Sequence, residues 1–149
     1  LNELYGFRIN PDINYANTPR GGFRLPTDDE WEFAARGGNL TRGYLFSGSD
    51  DINKVGWHYC NETHDVGQKL PNELGLYDMS GNVREICKIS LQSSRCTNNG
   101  YPSVYYKEQM RLFKGGGCFD SAKDCVPTIV GDGTKGGNRF YGIRLVFAP

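Results

Sequence analysis

The stretch "PTDDEWEFAARGG", residues 26–38, is the one segment of this 149-residue chain that announces a helix. Thr27 and Glu30 have the spacing of a capping box, in which each side chain satisfies a free backbone N–H of the other residue. Asp28, Asp29 and Glu30 set negative charge against the positive end of the helix dipole. Trp31, Ala34 and Ala35 fall at i, i+3 and i+4 and form one apolar face. Arg36 stands in the last turn, and Gly37 supplies a left-handed stop. These signs predict a helix over 27–36 that buries Trp31 and supports the fold rather than a site. It is the one clear helix signal, and the remainder of the chain reads as loops and short strands.

Working outward, "LNELYGF" at 1–7 reads as the last turn of an earlier helix. "ELGLYDMSGNVREIC", 73–87, holds a turn at Ser80-Gly81-Asn82 between two apolar pieces. "MRLFKGG" and "YGIRLVF" are the clearest strands. The second alternates with period two, which predicts Ile143, Leu145 and Phe147 inward and Arg144 outward. Residues 115–141 carry hardly a strand or helix signal, and loops of that length in compact domains are functional or disordered. Twenty glycines with nine tyrosines and eight phenylalanines fit short elements, many turns and aromatic anchors.

The 17 basic and 17 acidic residues cancel, so charge does not draw the chain to nucleic acid or to an anionic membrane. No apolar run approaches the roughly 20 residues of a spanning helix. The length suits one domain with one core. The first residue is Leu1 and no signal peptide is visible, so a trimmed fragment is expected.

The five cysteines are Cys60, Cys87, Cys96, Cys118 and Cys125. No CxxC occurs, which excludes zinc ribbons and thioredoxin-like sites. An odd count leaves one thiol without an intrachain partner; isolated thiols and one or two disulfides both remain open. "KGGGCFDSAKDCVP", 114–127, sets Cys118 and Cys125 seven apart behind three glycines. It admits four readings: a redox site, a metal site, a stapled loop or a display surface. His58 and His64 flank Cys60 in "HYCNETH", without further ligands at a recurring offset. A Cys–His nucleophile pair also stays open. "KGGG" and "KGGN" lack the spacing and the following helix of a phosphate-binding loop. Asn82 and Glu85 in "GNVRE" are candidate calcium ligands; the competing reading makes Asn82 a turn former and pairs Glu85 with an arginine. The carboxylate ladder of an EF-hand is absent.

Three blocks, "GFRLPTDDEWEFAARGG", "VGQKLPNELGLYDMSGNVREIC" and "RLFKGGG…GIRLVF", resemble in order and spacing those of the formylglycine-generating enzyme (sulfatase-modifying factor) family. The resemblance implies an irregular α+β domain, a C-type lectin fold variant, spanning 1–149 and lacking the domain's own N-terminal part. The family's oxidases use two cysteines five apart after the glycines. Cys125 aligns with the second, but the first falls on Asp120, and Cys118 sits where an aromatic is usual. The family's "GNVWEW" has become "GNVREI", which puts Arg84 and Ile86 at the tryptophan positions. The iron-dependent relatives' HxxxHxE set is missing.

A second branch is more similar: variable proteins of diversity-generating retroelements, in which glycines, an alanine and a cysteine frame positions that vary. The resemblance implies a non-enzymatic display protein on a bacterial or phage surface, exported, with no required cofactor and a protein or other macromolecular ligand. Its variable region would be 111–147. Recognition would fall to Phe119, Asp120, Ser121, Lys123 and Asp124; to Val126, Thr128 and Ile129; and to Asn138, Arg139, Phe140 and Tyr141, all mostly exposed on one face. Arg111, Gly115, Gly116, Ala122, Arg144 and Leu145 would form the frame, the apolar ones buried and the arginines held by backbone or acidic partners. The rivals are a cysteine-dependent oxidase and a calcium-dependent sugar lectin. Against the lectin, no EPN, QPD or WND tripeptide is present.

Overall fold

The structure is a computed structural model and describes residues 22–88, 111–129 and 141–148. Among these residues the first element is strand β1, Gly22–Arg24, followed by helix α1, Asp28–Ala35. Helix α1 starts where the capping box puts it. The Thr27 side chain accepts from the Glu30 backbone N–H at 3.2 Å, and the Glu30 carboxylate accepts from the Thr27 N–H at 2.9 Å. Gly37 ends it at φ +88°. A one-turn helix α2, Ile52–Val55, comes next and is capped by Asp51. Strands β2, Arg84–Lys88, and β3, Arg111–Lys114, then pair antiparallel, with Glu85 opposite Lys114. Strand β4, Tyr141–Gly142, adds to the other edge of β2 in parallel, and β5, Val146–Ala148, returns to pair antiparallel with β1. Two small sheets, β1-β5 and β3-β2-β4, thus share one short C-terminal tail. The fold is the irregular α+β one expected.

Helix α1 packs its apolar face on the three-stranded sheet. Trp31, Ala35, Met79 and Cys87 form one buried cluster, flanked by Ala34 and Leu76. Trp31 is 1% exposed and donates its indole N–H to Glu85 at 2.6 Å. A second cluster joins Phe46, Ile52, Val55 and Cys125, flanked by Ala122 and Val126. Among the described residues the core is therefore in two parts, and the loop after β3 contributes to the second.

The C-terminal tail departs from the expected strand. It is two short strands with irregular residues 143–145 between them. Ile143, Leu145 and Phe147 are exposed, at 63%, 39% and 57%, while Arg144 turns inward. The reason is electrostatic. Glu85 is buried beside the Trp31 indole, and a buried carboxylate needs a cation. Arg144 supplies it through a bidentate pair at 2.7 and 2.9 Å, and also donates to the Tyr77 carbonyl at 2.9 Å. Satisfying that charge overrides the alternation read from hydropathy. Phe147 packs edge-on against Phe23 across the β1-β5 pair at 5.3 Å.

Candidate functional site

The loop following β3 begins with two left-handed glycines, Gly115 at φ +86° and Gly116 at φ +66°. At Gly116 the loop folds back so closely that a Cβ would lie 2.7 Å from the Cys125 sulfur and 2.8 Å from the Asp124 carbonyl. Only glycine permits that closure. Cys125 sits in the second core cluster and directs its thiol at the Ser121 carbonyl, 3.5 Å away. Residues 122–125 form a single 3-10 turn, with the Asp124 N–H bonded to the Ser121 carbonyl at 2.9 Å.

Asp120 braces the loop from inside. Its carboxylate accepts from Arg84 Nη2 at 2.6 Å and Nε at 2.8 Å, and from the Gly117 N–H at 2.8 Å. Its carbonyl accepts from the Tyr59 N–H at 3.1 Å. Cys118 donates its N–H to the Asn82 carbonyl at 2.9 Å, which ties the loop to the turn before β2. Burial pushes the Asp120 pKa up, but the Arg84 hydrogen bond, the Gly117 N–H and the Arg84 charge together outweigh it and hold the group below the usual carboxylate range.

The expected recognition residues divide accordingly. Phe119, Lys123 and Ile129 are exposed on this loop. Ser121, Asp124 and Thr128 are half-buried, and the Ser121 hydroxyl donates to the Asp124 carboxylate. Asp120 serves the frame instead, because every polar group it carries is already bonded within the fold. Val126 packs on the second core cluster. Tyr141 lies in β4, half-buried, its ring 4.4 Å from that of Phe113. Asn138, Arg139 and Phe140 lie outside the described residues. Among the frame residues, Gly115 and Gly116 are buried, Ala122 is partly buried against the core, Arg144 has its acidic partner, and Leu145 is exposed.

Arg84 is the contributor that sequence reading missed. It was visible only as a departure from the family's tryptophan, and Asp120 as a departure from the family's first thiol and as an expected display position. The two departures are each other's partner, 36 residues apart. Opposite charge at two anomalous positions was the available signal.

A copper ion held by two thiolates, as the resemblance implies for oxidases, does not fit these residues. Asp120 occupies the first position and is committed to Arg84. At the second, burial, reinforced by the charges of Asp120 and Asp124, pushes the Cys125 thiol up to about 12, so it stays protonated at neutral pH. The candidate calcium ligands are engaged elsewhere. Asn82 adopts a left-handed turn at φ +63°, and its carboxamide accepts from the His64 N–H at 2.9 Å and donates to the His64 carbonyl at 3.0 Å. Both Glu85 oxygens accept from Arg144, and one also accepts from Trp31. Among the described residues no three His, Cys, Asp or Glu side chains gather in a metal-binding group. No helix among them is long and apolar enough to cross a membrane.

Comparison with known proteins places this geometry. Residues 12–149 match the profile of the sulfatase-modifying factor enzyme 1-like domain. The solved structure of Treponema denticola variable protein 1 is 32% identical, with a TM-score of 0.66, over 87% of this chain and 49% of that one. The chaperone protein LppX of Paenibacillus barcinonensis is 41% identical over 48% of this chain and 32% of its own. The formylglycine-generating enzyme of Thermomonospora curvata is 37% identical over 44% of this chain and 27% of its own. The inactive C-alpha-formylglycine-generating enzyme 2 of Bos taurus is 30% identical over 68% of this chain and 34% of its own. The chain therefore spans about a third of these curated relatives and half of the solved one. The relatives include both active and inactive proteins.

Proposed function

The chain belongs to the family of sulfatase-modifying factor enzyme 1-like domains, and from that premise we propose that it is a non-enzymatic member that binds a macromolecular ligand through the loops of its C-terminal region. The observation that carries this reading is the Arg84–Asp120 pair at 2.6 Å. A structural ion pair fills the place where the family's oxidases would need a reactive thiol. What remains around it is a loop anchored from within by Asp120, Cys125 and the Gly116 close approach, with Phe119, Lys123 and Ile129 turned out. A surface that changes its ligand must not carry the stability of the fold. Here the anchoring atoms and the exposed side chains belong largely to different residues. Exposed aromatics of this kind offer contact area at low entropy cost, and a neighbouring charge adds selectivity. The likeness to a variable protein supports the same reading, and with it a place on an exported or surface-bound protein.

Two observations test it. The gene should carry, beside a reverse transcriptase gene, an adenine-rich near-copy of the codons for 111–147. The purified full-length protein, supplied with copper and a cysteine-containing peptide, should leave the peptide unoxidised. A segment with no such copy, together with copper-dependent turnover of the peptide, would return the protein to the oxidases.

A further inference from the structure

We propose that Cys60 and Cys118 form a thiol–disulfide exchange site, which a low-molecular-weight disulfide such as oxidised glutathione closes into an intramolecular bond at the root of the 118–129 loop. Cys60 lies on a short loop, residues 57–64. Trp57 and His64 close its two ends. Their rings stack 3.7 Å apart and 2° from parallel. The Trp57 carbonyl accepts from the Asn82 N–H at 2.8 Å, and the Asn82 carboxamide clamps both backbone groups of His64. Lys69 lies over the Trp57 ring at 3.8 Å. The tip of this closed loop rests on the recognition loop. The Tyr59 N–H bonds to the Asp120 carbonyl at 3.1 Å, and the Cys60 N–H bonds to the Cys118 carbonyl at 2.6 Å.

The 2.6 Å bond from the Cys60 N–H to the Cys118 carbonyl holds the two backbones side by side, and a disulfide requires Cα atoms about 4.4–6.8 Å apart. The Cys60 side chain lies close enough to the Cys118 thiol to add to the effect of burial in pushing it up to about 12. Among the described residues all four cysteines are free thiols. Cys118 is fully buried and Cys60 half-buried, so a disulfide arriving from solvent meets Cys60 first. Cys125, the other cysteine of the loop, is turned towards Ser121 and packed in the second core cluster.

The chemistry balances in two steps. The Cys60 thiolate attacks one sulfur of oxidised glutathione, forms a mixed disulfide and expels one glutathione thiolate. The Cys118 thiol, held largely protonated at neutral pH by burial, gives up its proton as it attacks the Cys60 sulfur and expels the second glutathione thiolate, which takes up a proton, so this closing step speeds up as pH rises. The protein loses two electrons and two protons; the oxidised glutathione gains them and leaves as two reduced molecules. The new bond ties the start of the recognition loop to the Trp57–His64 loop. This site stands on the thiol geometry and does not depend on what the loop binds.

The test incubates the reduced full-length protein with oxidised glutathione, then quenches, digests without reduction and maps the peptides by mass spectrometry. A Cys60–Cys118 linked peptide is expected, with a Tm about 10 °C higher, as suits a loop of this length. Neither the link nor the gain should appear in Cys60→Ser. The proposal is overturned by a Cys118–Cys125 or Cys60–Cys96 link, by a lasting glutathione adduct on Cys60 with Cys118 still free, or by the same gain in Tm in Cys60→Ser.

Discussion

Arg84 and Asp120 show how a single pair of residues fixes the character of the site. Both side chains are mostly withdrawn from water, at 14% and 17% exposure, so each depends on the other. Removing one partner leaves a half-buried charge, and Asp120→Asn or Arg84→Met should each cost about 2–3 kcal/mol. Replacing both with apolar residues should cost less than the sum, and denaturant melts of the four proteins measure that coupling directly. The pair also gives a pH signature. The Asp120 pKa is held below its ordinary value of 3.8. A depressed carboxylate contributes stability that is fully present above its unfolded pKa and is lost as pH falls through the folded one. Stability should therefore begin to fall as the pH drops below about 4, and Asp120→Asn should flatten that fall. The thiols act at the other end of the scale. Burial lifts Cys118 and Cys125 to about 12 from 9.0, so their share of stability should be lost as pH rises from 9 through 12, and Cys125→Ala should lessen that loss. The sequence displayed Arg84 and Asp120 as two separate anomalies. It could not display them as partners, because nothing local links positions 36 residues apart.

At the scale of elements, helix α1 was legible almost to the residue, since its cap, dipole charges and apolar face are all local signals. Trp31 joins that local order to the global one. It fills the first core cluster and bonds Glu85, whose charge in turn holds Arg144. Trp31→Ala should cost about 3–5 kcal/mol, the range for a buried large aromatic, read as a loss of thermal and denaturant stability. The closing strand was misread for the opposite reason. Its alternation of Ile143, Leu145 and Phe147 is a real period, but the deciding interaction is the distant Glu85, which pulls Arg144 inward and breaks the strand's face. A hydropathy pattern reports burial only where no buried charge competes for the same backbone. The turn at Ser80-Gly81-Asn82 was legible because Gly81 and Asn82 both take left-handed backbone, at φ +84° and +63°.

Over the described residues, two small sheets and a two-part core leave the loop after β3 anchored by a few inward-facing groups. That division of labour separates residues that brace the loop from residues that face out. It was legible in outline, as glycines, alanine and cysteine framing residues of no clear period, but which residues brace and which face out was not. Asp120 and Val126 look like display positions in the sequence and serve the frame in three dimensions. The most direct measurement compares two libraries in the full-length protein, one randomising the exposed Phe119, Lys123 and Ile129, the other randomising Arg84, Gly116 and Asp120. The quantity scored is the fraction of variants that still unfold cooperatively near the parent's Tm. Most of the first library should, since each surface change stays within about 0.5 kcal/mol, and few of the second should. Equal losses in the two libraries would contradict that division of labour.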